Sequence, residues 1–143
     1  MPHYEDETIR DILTSVRTIA LVGASPDPSR PSNDVMRFLL DYGYDVYPVN
    51  PAARVDEIHG RKVYARVVDV PEPVDMVDVF RVSEWAGAAC DDAIAAHAKV
   101  VWMQLDVINE EGKDRAEAAG LQVIMDRCPK IEVRRLSLPP RKA

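Results

Sequence analysis

Residues 18–40 read TIALVGASPDPSRPSNDVMRFLL, and the fold is decided there. Ile19 to Val22 is a short apolar run without alternation, the pattern of a strand buried on both faces of a parallel sheet. Gly23, Ala24 and Ser25 follow, small enough for the chain to turn tightly and for its backbone to approach a ligand closely. A polar, proline-punctuated loop over 26–31 leads to Ser32 or Asn33, either of which suits the cap of a helix. That helix carries Val35, Met36, Leu39 and Leu40 on its apolar face. Strand, small-residue turn and helix N-terminus together can hold an anion, because free N–H groups and the helix dipole point at it. An ordinary βα connection without a ligand has the same pattern. The spacing is not the common dinucleotide fingerprint. G-x-G-x-x-G would need glycines at 25 and 28, where Ser25 and Pro28 stand, and the longer loop carries Arg30.

The rest of the chain falls into place on either side. An amphipathic helix is expected over 4–16, with Ile9, Ile12, Leu13 and Val16 on one face and acidic residues near its N-terminus. Gly43 is placed to stop the second helix. Residues 44–49 read as the second strand, ending in Pro48-Val49-Asn50-Pro51. A nicotinamide-binding Rossmann domain has an acidic residue near this point to hold the ribose. Asn50 stands here instead, and the two prolines offer an apolar surface to a flat base. Residues 54–70 look irregular, with a short edge strand around 62–65, and His59 there reads as a surface turn residue.

Beyond the stiff break Pro71-Glu72-Pro73, residues 74–80 form a strand with Arg81 just past its carboxyl end. Ser83 is expected to cap a helix to about His97. Strands over 99–105 and 121–125 follow, separated by a helix capped by Asn109 and ended by Gly120. Gln104 lies near the carboxyl end of its strand, where it can face a cleft. Cys90 reads as a small core residue. Cys128, beside Arg127, would need a positioned base to act as a nucleophile, and none is visible. The tail after Leu136 is expected to be loose.

The chain has 143 residues, enough for a single domain with a real core, and a net charge of −6 that argues against a general nucleic-acid binder. Two cysteines make neither a disulfide scaffold nor a zinc site. The start, MPHYEDETIR, has no apolar signal core, and no apolar run approaches the length of a membrane span, so a soluble, cytoplasmic protein is expected. Alternating strands and helices imply an α/β fold, a Rossmann-like, doubly wound parallel sheet in three α/β/α layers. The expected strand order is 3-2-1-4-5, with a cleft beside strand one. Gly23, Asn50 and Arg81 would converge there.

VGAS…RPSNDV, GYDVYPVNP, PEPVDMVDVFR, VVWMQ and AGLQVIMDRCP occur in this order. The set resembles the small bacterial CoA-binding proteins of the YccU-like group, similar to the CoA-binding domain of the succinyl-CoA synthetase α subunit standing alone. The likeness covers about residues 18–136. It implies a Rossmann-like domain with coenzyme A or an acyl-CoA as its ligand. Carried over by position, Gly23, Ala24 and Ser25 would approach the phosphates, and Arg30, Pro31, Ser32 and Asn33 would complete the phosphate loop. Asn50 and Pro51 would border the adenosine end, and Phe80 and Arg81 would line the cleft. Asp106 stands where many relatives have glycine, and puts a negative charge near the cleft rim. Arg66 stands where serine is common. The synthetase's phosphorylated histidine belongs to a later domain, so the resemblance does not imply that catalysis. It leaves a carrier, a sensor or an accessory subunit, acting as a homo-oligomer or with an acyl-CoA synthetase-type partner. The rival readings are an NAD(P)-dependent oxidoreductase and a CoA-dependent transferase using Cys128.

Overall fold

The computed structural model describes residues 3–141. The chain runs α1 (Asp6–Ser15), β1 (Thr18–Val22), α2 (Pro31–Asp41), β2 (Asp45–Val49), β3 (Glu57–Ile58) and β4 (Arg61–Lys62), then a 3-10 turn over Val67–Asp69. It continues β5 (Met76–Val79), α3 (Ser83–Ala95), β6 (Val100–Met103), α4 (Glu110–Ala118), β7 (Gln122–Ile124) and α5 (Pro129–Arg135). Five strands form a parallel sheet in the order β2-β1-β5-β6-β7. Every residue of β1, β5 and β6 is buried, because helices cover both faces.

The pleat sorts the core into two halves. Ile19, Leu21, Met76, Val100, Trp102 and Ile124 face α1, α2 and α5. Ala20, Val22, Val77, Val79, Val101, Met103 and Val123 face α3 and α4. Side chains alternate across a strand, so each strand supplies both layers. The helix after β1 therefore lies on one face and the helix after β5 on the other. A gap opens at the carboxyl ends between these neighbouring strands.

Several expectations change in detail. Among the five strands proper the order is 2-1-3-4-5. The expected 3-2-1-4-5 describes the sheet only if Tyr64 is counted as the third strand, through its single parallel bridge to Val49 on the outer side of β2. The edge strand expected over 62–65 is otherwise replaced by the β3–β4 hairpin. Neither Ser32 nor Asn33 caps α2. Arg30 occupies the cap and Pro31 the first turn, since proline's fixed φ suits a helix start. Ser83 likewise lies inside α3, with Val82 at the cap.

Helix α5 is an addition to the expected elements; seven residues carry too little periodicity to announce themselves. The tail is not loose through 141. Leu138 is buried, Tyr42 donates its hydroxyl to the Leu138 carbonyl, and the Arg141 N–H donates to Tyr42 O at 2.6 Å.

Candidate functional site

The gap between β1 and β5 is a cleft of about 580 Å³ at the carboxyl edge of the sheet. Of the twelve residues singled out from the sequence, Gly23, Ser25, Arg30, Pro31, Ser32, Asn50, Phe80, Arg81 and Gln104 line it. Ala24, Asn33 and Pro51 do not. Ala24 is buried, and its carbonyl accepts from Asn50 Nδ2 at 2.9 Å. Asn33 donates from Nδ2 to the Ser25 carbonyl at 2.9 Å, so it shapes the loop from behind. His59 Nε2 lies 3.0 Å from both Asn33 O and Asn33 Oδ1, which makes it a pin for that scaffold. Pro51 sits exposed in the turn after β2. The lining residues that sequence reasoning missed are Val82, Leu105 and Val107, together with Asp106, seen only as a rim charge.

Gly23 makes the approach of the two strands possible. Its φ is +88°, and a Cβ there would stand 2.1 Å from the Phe80 carbonyl oxygen. Only glycine brings the end of β1 this close to the end of β5. The loop beyond holds itself. Ser25 Oγ accepts from the Asp27 N–H at 3.1 Å, and Asp27 Oδ1 accepts from the Ser29 N–H at 2.9 Å and the Ser29 hydroxyl at 2.8 Å. The Ser29 N–H, then its hydroxyl, holds the Asp27 carboxyl below the usual carboxylate range.

The helix N-terminus gives the cleft less than the sequence implied. Pro31 has no N–H, and the N–H groups of Asn33 and Asp34 both close onto the Arg30 carbonyl. Ser32 is left with its backbone N–H and hydroxyl near the cleft. The positive charge comes from Arg30 and Arg81, neither of which forms an ion pair or a side-chain hydrogen bond among the described residues. Arg81 leans over β1: its Cδ lies 3.2 Å from where a Gly23 Cβ would be. Arg54, just after Asn50-Pro51, does not line the cleft.

The opposite wall is built from the loops after β5 and β6. Ser83 clips them together. Its Oγ accepts from the Ile108 N–H at 3.0 Å and donates to the Asp106 carbonyl at 3.2 Å, while Asn109 Nδ2 donates to the Ser83 carbonyl at 2.9 Å. Asp106 has φ +67°, the left-handed region that favours glycine, and Asp126 Oδ1 holds its N–H at 2.8 Å. Gln104 is buried, and its Oε1 has no hydrogen-bond partner among the described residues. A buried acceptor left open in a cleft wall suits a ligand donor, since leaving it unmade costs about 1–3 kcal/mol. Cys128 is buried away from the lining. Burial also pushes the Cys90 thiol up to about 11, helped by Asp91.

The cleft can therefore grip anionic oxygens at the β1–α2 side, accept a hydrogen bond at Gln104 and cover apolar atoms at the Val82–Val107 side. Comparison with known proteins gives the family. The family model described as "CoA binding domain" matches residues 17–134. The protein YneT of Bacillus subtilis (strain 168) is 37% identical over 123 residues, which are 86% of this chain and 90% of that protein. The α subunit of the ADP-forming acetate–CoA ligase I of Pyrococcus furiosus is 31% identical over 110 residues, 72% of this chain but only 24% of that subunit. A solved structure of a Pyrococcus horikoshii OT3 protein superposes with a TM-score of 0.89 at 43% identity, over 96% of this chain and 99% of that one.

Proposed function

This chain belongs to the CoA binding domain family, and on that premise we propose that it binds coenzyme A or an acyl-CoA in the β1–β5 cleft. The observation that carries the reading is the meeting of two uncommitted arginines and one open buried acceptor in a single cleft. Arg30 and Arg81 would hold phosphate oxygens, for which the guanidinium fork is suited. The Ser32 N–H and hydroxyl add neutral donors beside them. Gln104 Oε1 would accept from an amide or amino N–H of the ligand. Asn50 stands at the end of β2 with its side chain spent on Ala24 and Ala52, at 2.9 Å each. It would border the adenosine rather than clamp a ribose.

The role proposed is that of a carrier, sensor or accessory subunit that acts without catalysis of its own. The likeness to a ligase α subunit also makes an acyl-CoA synthetase-type partner part of the proposal. An NAD(P)-dependent oxidoreductase fits less well, since no acidic side chain stands at the end of β2. No helix among the described residues is long and apolar enough to cross a membrane.

The test is thermal and denaturant unfolding with CoA and with NAD+ at equal concentration. A ligand at about 100 times its dissociation constant stabilises the folded state by about 2.7 kcal/mol. CoA is expected to do so and NAD+ to do so much less. Equal or larger stabilisation by NAD+ would sink the reading.

A further inference from the structure

The cleft does not end at its lining. Val82, Trp85, Leu105 and Ile108 are 58%, 59%, 49% and 37% exposed. Val82, Leu105 and Ile108 sit on the two loops that Ser83 clips together, Trp85 lies in α3 just beyond, and Val82 and Leu105 belong to the cleft wall as well. Trp85 is in the first turn of α3, its N–H donating to the Val82 carbonyl at 2.9 Å. The apolar wall therefore runs out of the cleft onto an open lip. Large apolar side chains left exposed together on a soluble domain mark a binding surface more often than chance.

Two acids stand on the lip itself, Glu84 and Asp106, while Glu110 and Glu111 at the start of α4 have Lys113 and Arg115 as cationic neighbours. Glu84 lies between Val82 and Trp85 in sequence, and Asp106 lines the cleft. The nearest cation in these segments, Arg81, leans away over Gly23. A ligand extended from the arginine side would bring its far end to a surface that is apolar and acid-rimmed.

Resting on the CoA reading above, we propose that this lip is an acyl subsite, and that the protein selects CoA thioesters whose acyl group is apolar and uncharged over free CoA and over dicarboxylic acyl-CoA. An aliphatic chain would shed water against Trp85 and Ile108, worth a modest factor on an open surface. A terminal carboxylate would meet like charge.

Two tryptophans make the test direct. Trp102 is wholly buried while Trp85 is exposed, so a blue shift that is absent from Trp85→Ala reports Trp85. The protein is titrated with CoA, hexanoyl-CoA and succinyl-CoA, by calorimetry and by fluorescence. Hexanoyl-CoA is expected to bind roughly tenfold tighter than CoA and to shift Trp85 emission to the blue. Succinyl-CoA is expected to bind no tighter than CoA, with its deficit narrowing as salt is raised. Trp85→Ala, at an exposed position where folding is not at risk, should abolish the hexanoyl advantage.

Equal affinities for CoA and hexanoyl-CoA would overturn the proposal while leaving CoA binding intact, as would an advantage that survives Trp85→Ala. Failure of all three ligands to bind would overturn the CoA reading and this inference with it. Trp85 emission that is blue-shifted without ligand and depends on protein concentration would mean that the lip seats a second copy of the chain, and would also overturn it.

Discussion

Gly23→Ala is the sharpest test of how the cleft is built. An L-residue at φ +88° sits in the left-handed region, which costs roughly 1–2 kcal/mol. The new Cβ would also stand 2.1 Å from the Phe80 oxygen and 3.0 Å from its carbonyl carbon. Carbon and oxygen normally stay about 3.3 Å apart or more. The obstacle is backbone of β5's end, not the tip of a flexible side chain, so the strand ends must separate. Overpacking of this kind costs about 1–3 kcal/mol more. The sum, about 2–5 kcal/mol, is a large share of the 5–15 kcal/mol typical of a domain. Gly60→Ala is the control. Its φ is +75°, and nothing lies within 4 Å of a Cβ there, so only the conformational part applies. Urea unfolding of the two variants, with unchanged m-values, isolates the steric part as their difference. Folded Gly23→Ala protein should also bind CoA more weakly, because Phe80 and Arg81 move with the strand end. If the two variants differ by less than about 0.5 kcal/mol and Gly23→Ala binds CoA normally, the close approach of β1 to β5 is not what shapes the site.

Arg30→Ala should weaken CoA binding by an amount near the lower end of the roughly 1.5–3 kcal/mol range for hydrogen bonds to charged groups, because the side chain is exposed; the loss should shrink at high salt. Calorimetric titration at two salt concentrations checks it, and wild-type affinity at low salt would move the phosphate site elsewhere. Cys128→Ser and Cys90→Ser should each change CoA affinity by less than about tenfold, since both thiols are buried and neither lines the cleft. A greater loss in a folded variant would return a thiol to the mechanism. Asp78, fully buried in β5 with neither carboxyl oxygen hydrogen-bonded among the described residues, has its pKa raised well above the usual range by desolvation. The folded state then keeps a proton that the unfolded state gives up near pH 3.9, so this contribution is full below about pH 3.9 and is lost as pH rises toward the folded pKa. Asp78→Asn should flatten that decline, and identical stability–pH slopes for wild type and variant across the acid-to-neutral range would refute it.

The sequence exposes the fold well and the site unevenly, for physical reasons. Unbroken apolar runs at 19–22 and 100–103 announce buried parallel strands, and the doubly wound topology places their carboxyl ends together. Gly23, Asn50 and Arg81 could thus be brought into one cleft from sequence alone. The opposite wall is harder to read. Val82 and Leu105 are apolar residues in loops, and nothing in a sequence tells a loop valine at a cleft wall from any other. The left-handed turn at Asp106 is only faintly signalled, because aspartate tolerates that region but occurs far more often outside it. The helix start is hidden because Ser32 and Asn33 are good capping residues, while the Pro31 ring is free to take the first turn. Asn33 instead spends its amide on Ser25, and His59 braces it from behind, a pairing between residues 26 apart that local pattern cannot reveal.

The way α1 is held has a consequence for the order in which the chain can finish. Ile9, Ile12 and Leu13 are buried; besides the Tyr44 hydroxyl on the Leu13 carbonyl, the polar contacts that fix this helix come from the far end of the sequence. The Met125 N–H donates to the Tyr4 hydroxyl at 2.9 Å, and Asp6 pairs with Arg135 at 2.8 Å. On a ribosome α1 thus emerges well before the segments that seat it. At about 5–20 residues per second, roughly ten seconds pass between the making of Tyr4 and of its partner. In that interval β1 can pair with β2, and β5 and β6 can add in turn, while the apolar stripe of α1 stays without its final neighbours. The nascent chain carries that sticky face until α5 has been made and can close over it.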